Sequence, residues 1–195
     1  DSILNLSCAD TLIDFVFAEM HHPFKSELWT PGEADYTGDV VEMMEAFTEI
    51  CGKPTIHFFG HTHAYSRGQS RDHDHLWVNV ATSGGNIDYW GEFSNADYEE
   101  FIISQDEYGF VMVEVTAGAQ PKFVLKRLSF GDQFNPGGST ETDMVTIRKN
   151  NAPPTTPYPL FPLATDTVSS VCTMLKADPF ADPDGDEFGA AHWQV

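Results

Sequence analysis

The chain has 195 residues, of which 41% are hydrophobic and 13% aromatic, enough apolar material for a packed core and too much for global disorder. Thirty acidic residues against ten Lys plus Arg leave a formal charge of −20, a surface that repels nucleic-acid backbones and anionic lipid. An anionic substrate is then expected only where a strongly positive centre, such as a bound metal pair, overrides that field.

No run of about 18 apolar residues occurs, so no segment is expected to span a bilayer. The N-terminus shows no basic segment followed by an apolar one, so no signal peptide is expected. Cys8, Cys51 and Cys172 are odd in number and far apart, which predicts three separate thiols and no disulfide framework.

In chain order, the first residues read as an amphipathic helix already in progress. Thr11 to Met20 is apolar on both faces and predicts a central strand, ended by His21-His22-Pro23. A loop from Phe24 to Thr37 leads to Asp39–Ile50, where Val40, Val41, Met44, Phe47 and Ile50 follow helical spacing and Cys51-Gly52 supplies the stop. Pro54–Phe59 predicts a second strand, closed by Gly60-His61-Thr62-His63. Ser66 to His75 reads as a polar loop, Leu76–Thr82 as a third strand, and Asn86–Phe101 as irregular. Gly109–Thr116 and Lys122–Ser129 predict an antiparallel hairpin.

Composition shifts near Asn150. Residues 150–160 are Pro-rich and predict a stiff linker, and 161–195 read as the start of a further β-module. Within that module Val171–Lys176 predicts a strand, Asp182, Asp184 and Asp186 form an acidic turn able to hold Ca²⁺, and Trp193-Gln194-Val195 stands where another strand would begin.

Seven of the eight histidines fall between His21 and His75, several of them just past a predicted strand. In open α/β sheets, ligand sites assemble at the carboxyl ends of strands. Two imidazoles spaced as His61-Thr62-His63 project to one side of an extended segment and can present two nitrogens to a metal. His57, inside a strand, reads as a structural residue. His73 and His75, in a hydrophilic stretch, read as solvated.

Met20-His21-His22-Pro23-Phe24 and Gly60-His61-Thr62-His63-Ala64-Tyr65-Ser66-Arg67 resemble the last two metal-binding motifs of calcineurin-type metallophosphoesterases, closest to the purple-acid-phosphatase-like branch. Ser83-Gly84-Gly85 and Tyr108-Gly109-Phe110 resemble that family's downstream turn and closing strand. The likeness covers about residues 1–130 and implies an α/β fold, the C-terminal half of a β-sandwich flanked by helices, over residues 1–149. It implies His21, His61 and His63 as metal ligands, His22 in a phosphate-facing catalytic role, and Tyr65 and Arg67 packed behind the loop. Two ions of Fe, Zn or Mn would serve as cofactors and a phosphate ester as substrate.

The family's earlier Asp-x-His and Gly-Asn-His blocks do not occur in these residues. The missing N-terminal half of the same domain is therefore an expected partner, and the isolated chain is expected to be nearly inactive. The tail resembles fibronectin-III or cadherin-like modules, which together with the acidic composition implies a secreted or cell-surface location. The alternatives are a non-catalytic adhesive module or another HxH metallohydrolase. A metallo-β-lactamase site would want Asp-His where Tyr65-Ser66 stands, and the β-rich sequel does not resemble a barrel.

Overall fold

A computed structural model describes residues 2–33 and 37–186. The chain divides into two compact units, residues 1–149 and 150–195. The first is mixed α/β. Helix α1 (Ser2–Ala9) and strand β1 (Val16–Glu19) precede a 3-10 turn at Thr30–Gly32 and helix α2 (Gly38–Cys51). Strands β2 (Thr55–Phe59), β3 (Tyr65–Gln69), β4 (His75–Val80) and β5 (Phe101–Gln105) follow. They form one sheet in the order β1-β2-β4-β3-β5, with β1, β2 and β4 parallel and β3 antiparallel to its neighbours. Strands β6 (Gly109–Thr116), β7 (Lys122–Gly131) and β8 (Pro136–Arg148) make a second, antiparallel sheet.

The two sheets share a core. Alternation along the strands turns Ile56, Tyr65, Leu76 and Val78 toward Phe123 and Leu125 of β7, all buried. Burying each such side chain stabilises by about 1.5–3 kcal/mol. On the other face of the first sheet, Val41 of α2 packs on Phe59 and Trp77. Helix α2 ends at Gly52, whose left-handed φ of 62° lets its N–H reach the Thr48 carbonyl at 2.9 Å.

Polar groups buried between these layers form two networks, in which His57 Nε2 is left without a hydrogen-bond partner. Asp143 of β8 receives Nε and Nη2 of Arg67 at 2.5 and 2.8 Å and the Tyr65 hydroxyl at 2.6 Å. Under α2, Thr48 Oγ1 lies 2.7 Å from Thr55 Oγ1, which lies 2.7 Å from His75 Nδ1, and His75 Nε2 lies 2.8 Å from His57 Nδ1. Both imidazoles are fully buried.

Several expectations are corrected. Ser66–His75 is not a loop but β3 followed by a short turn, and His75 lies in the core instead of in water. Its polar appearance misled because Arg67 points inward, where Asp143 neutralises it. Thr11–Met20 yields only β1, an end strand of its sheet with Phe17 41% exposed, not a central one. The region Asn86–Phe101 is irregular, but β5 begins at its last residue, and β8 has no counterpart in the expected elements.

Cys8 and Cys51 are joined in a disulfide, with Cα atoms 5.5 Å apart, and Cys172 is free and exposed. The ends of α1 and α2 are brought together in space, which wide sequence spacing conceals. Lys53 holds the same junction, its Nζ donating to the carbonyls of Ser7, Cys8 and Asp10 at 2.6, 3.2 and 2.7 Å.

In the second unit, β9 (Pro159–Phe161) pairs antiparallel with β10 (Lys176–Ala177), and residues 150–158 carry no regular structure. The strand expected at Val171–Lys176 is reduced to that two-residue β10. The expectation for Trp193-Gln194-Val195 lies outside the described residues. Among the described residues no helix is long and apolar enough to cross a membrane.

Three outcomes are expected. Asp143→Ala leaves Arg67 and Tyr65 buried without their acceptor and lowers unfolding free energy by about 3–5 kcal/mol, read from urea denaturation. Cys51→Ser removes a cross-link across a long loop and, where unfolding is two-state, costs about 4 kcal/mol in the chain-entropy account. A mutant as stable as the oxidised wild type would contradict the bridge.

The third concerns pH. Burial holds His75 down to about 4, and burial together with the neighbouring His75 holds His57 well below the usual range. Between about pH 6.5 and 4 the unfolded chain binds protons that the folded chain refuses, so stability falls as pH falls, by at most ~1.4 kcal/mol per unit per histidine. Asp143 adds a separate loss at lower pH. Burial opposes its ionisation, but the hydrogen bonds from Arg67 and Tyr65 outweigh burial and depress its carboxyl, so its contribution disappears only as pH drops through that depressed value. Equal urea midpoints at about pH 7.5 and 5 would contradict the histidine account.

Candidate metal centre

Parallel pairing brings the site together. Strands β1 and β2 lie side by side in register, so the loops that leave them emerge at one rim. The ladder continues past both strands, with Met20 N–H donating to the Phe58 carbonyl at 2.9 Å and Gly60 N–H to the His21 carbonyl at 3.1 Å. His21 and His22 after β1 thus meet His61 after β2. One ring nitrogen from each of the three lies within 4.8 Å of the other two. His61 Nδ1 is 3.3 Å from His21 Nε2, and the His22 and His61 ring centroids are 4.3 Å apart.

His61 adopts a φ of 69°, the left-handed region that a residue with a Cβ rarely enters. Such strain persists only where surroundings enforce it. Here the next residue is pinned. Thr62 is fully buried, its Oγ1 lies 2.7 Å from Ser26 Oγ, and its carbonyl receives Nδ2 of Asn79 at 3.0 Å. The other end of the Asn79 amide accepts the Ala81 N–H at 3.1 Å, tying the histidine loop to the end of β4. Gly60 precedes His61 where an added Cβ would lie 3.2 Å from the Ala81 Cβ.

The same φ separates the two rings of the HxH segment. An extended backbone would project His61 and His63 to one side; the left-handed turn at His61 breaks that geometry. His63 lies outside the three-imidazole group. Its N–H donates to Asp88 Oδ2 at 2.8 Å, and its Nδ1 lies 2.6 Å from the Asn86 carbonyl, which as the donor tautomer leaves Nε2 with its lone pair. The ring rests on Gly85, where a Cβ would come within 2.9 Å of it. His22, expected in a phosphate-facing role, stands among the grouped imidazoles. Of the residues expected to bind metal, the structure brings His21 and His61 together, adds His22, and sets His63 aside.

Burial lowers the His61 pKa, and the neighbouring His22, His21 and His63 lower it further. A neutral ring keeps a lone pair for a metal. Trp29 stacks on His61, centroids 5.2 Å apart at 27°, and covers one side of the group. Tyr65 and Arg67 lie behind the loop on Asp143, as the motif implies, with no part in the imidazole group.

Asn79, Ser26 and Asp88 were not anticipated. Each is a common polar residue whose importance comes from a partner distant in sequence, and no local pattern marks it. In the second unit, the Asp182 and Asp184 carboxylates accept backbone N–H groups, Asp182 Oδ1 from Asp184 at 2.7 Å and Asp184 Oδ2 from Ala152 at 2.7 Å. They form a hydrogen-bonded turn.

No family model matches the chain, and no curated protein matches it. Among solved structures it is similar to GAP50, the anchor in the inner membrane complex of Plasmodium, at 14% identity and a TM-score of 0.48. That similarity covers 71% of this chain, which spans 39% of the other.

Proposed function

We propose that this chain carries part of the centre of a metal-dependent phosphoesterase that hydrolyses phosphate mono- or diesters. The observation that supports it is the convergence of His21, His22 and His61 at the carboxyl ends of two parallel strands. Three imidazole nitrogens with no thiolate suit Zn²⁺, Fe²⁺ or Mn²⁺ and fit one ion. A second ion needs carboxylate ligands that no described residue adds to this group. In this reading those ligands come from residues other than these 195.

A bound ion supplies Lewis acidity and a water acidified toward neutral pH. The chain's own residues do the rest. Neutral imidazoles leave the ion's charge uncompensated, so a phosphate is attracted despite the net charge of −20. Ser26 and Asn79, through Thr62, keep His61 in its strained conformation and so fix the direction of its ring. His63, held by Asn86 and Asp88, keeps Nε2 free to accept a proton or to bind the second ion. Trp29 excludes water from one side of His61. The Cys8–Cys51 bridge supports an oxidising, secreted or cell-surface setting.

Two measurements test this reading. Residues 1–195 bind about one equivalent of Zn²⁺ or Co²⁺ by calorimetry, and His21→Ala or His61→Ala weakens binding at least ~10-fold. Two tight equivalents would contradict the single three-imidazole site. In the longest natural polypeptide that carries these residues, hydrolysis of p-nitrophenyl phosphate requires metal and falls at least ~100-fold in His61→Ala. Metal binding with no hydrolysis of mono- or diesters would make this a non-catalytic metal-binding module.

A further inference from the structure

The loop that clamps His63 has a second face. Asn86, Tyr89, Trp90 and Glu92 surround a cleft of about 570 Å³ together with Tyr108 and Phe134. Four of these six side chains are aromatic. Tyr89 and Phe134 meet with centroids 5.5 Å apart and planes inclined by 49°. Trp90 is 46% and Phe134 72% exposed, so both rings present area to a ligand that the core does not use.

The electrostatics of the cleft have one sign. No Lys or Arg is among the described residues that line it, whereas Glu92 is. Asp106 and Asp132 are attached to the same walls, Asp106 Oδ2 accepting the Trp90 N–H at 3.1 Å and Asp132 Oδ1 the N–H groups of Phe134 and Asn135 at 2.6 Å each. Glu92 Oε2 accepts the Tyr89 N–H at 3.2 Å. These bonds fix the walls and leave the carboxylate charge in place.

Ligand classes can be separated on that basis. An anion meets the lining Glu92, with Asp106 and Asp132 bonded to the wall backbone nearby, and no basic lining residue. A small hard cation needs several oxygens converging on one point, and these three carboxylates are each turned to a backbone amide. A neutral sugar would use the ring faces but gain nothing from the charge. A bulky, weakly hydrated organic cation uses both, because aromatic faces and carboxylates attract it together. We propose that this cleft binds the head group of a quaternary ammonium compound. The cleft is large enough for the head group and part of its chain. The site does not rest on hydrolysis, and its test needs no metal.

The test uses metal-free residues 1–195 at constant ionic strength, titrated with choline chloride and followed by calorimetry and ligand-observed NMR. Saturable binding is expected with a Kd of about 1 mM or tighter. The uncharged isostere 3,3-dimethylbutan-1-ol should bind at least ~10-fold more weakly, since it keeps the shape and loses the cation–π attraction. Trp90→Ala should weaken choline by ~10-fold, and Glu92→Gln by several-fold, with far-UV circular dichroism and urea midpoint unchanged.

Equal binding of choline and the isostere would show an apolar cleft only and overturn the proposal. Absence of saturation by about 20 mM choline, or an unchanged Kd in Trp90→Ala, would overturn it as well. The isostere comparison uses the unmodified chain, so it decides the matter even if a variant fails to fold.

Discussion

The register between two parallel strands governs this molecule. Val16 opposite Thr55 through Glu19 opposite Phe58 places the exits of β1 and β2 at the same height, and the two extra ladder bonds carry that alignment into the loops. A slip of one residue would move His21 about 3.3 Å along His61 and turn each side chain of β1 to the opposite face. Because Phe15, just before β1, packs on the core of one face and Met20, just after it, on the core of the other, such a slip would also disturb both packed layers. Core packing and imidazole placement are therefore one constraint.

Polar burial reinforces the same frame. Asp143, contributed by the second sheet, accepts from Tyr65 and Arg67 of the first, so the strand that follows the histidine loop is tied across the core. Arg127 does likewise from β7, donating to Thr82 Oγ1 at 2.8 Å and to the Glu107 carbonyl at 2.7 Å. Its guanidinium lies over the Tyr65 ring at 4.9 Å. Burial depresses its basicity, with Tyr65 and Glu107 opposing, and Gly109 is required beside it because a Cβ there would clash with the Leu128 carbonyl oxygen and fall 2.6 Å from Nη1.

Much of the fold was legible wherever apolar spacing was regular. Helix α2, strands β2 and β4 and the β6–β7 hairpin all follow from periodicity. The elements that escaped are those whose inward residues are polar or whose faces stay half exposed. Strand β3 hides Arg67 inside, and β8 opens with Pro136-Gly137-Gly138 and buries none of its residues fully. Positions 21, 22 and 61 could be singled out as site residues because histidine after a strand end is informative. The divergence of His61 and His63 could not, since it depends on a backbone angle enforced by Ser26 and Asn79 from elsewhere in the chain. The Cys8–Cys51 bridge was hidden for the same reason: proximity of two helix ends is a tertiary fact.

Strands β1 and β6 each close one side of their sheets, and both carry apolar side chains to the surface, among them Phe17, Phe110, Met112 and Val115. Unpaired strand edges of this kind invite other copies to add on. The surplus of acid, a formal charge of −20, opposes such approach as in a charge-stabilised colloid. At 0.1 M salt that repulsion reaches only about 10 Å, and at 1 M about 3 Å. High ionic strength, or counter-ions that neutralise the carboxylates, would turn dispersed molecules into edge-joined assemblies without unfolding any of them.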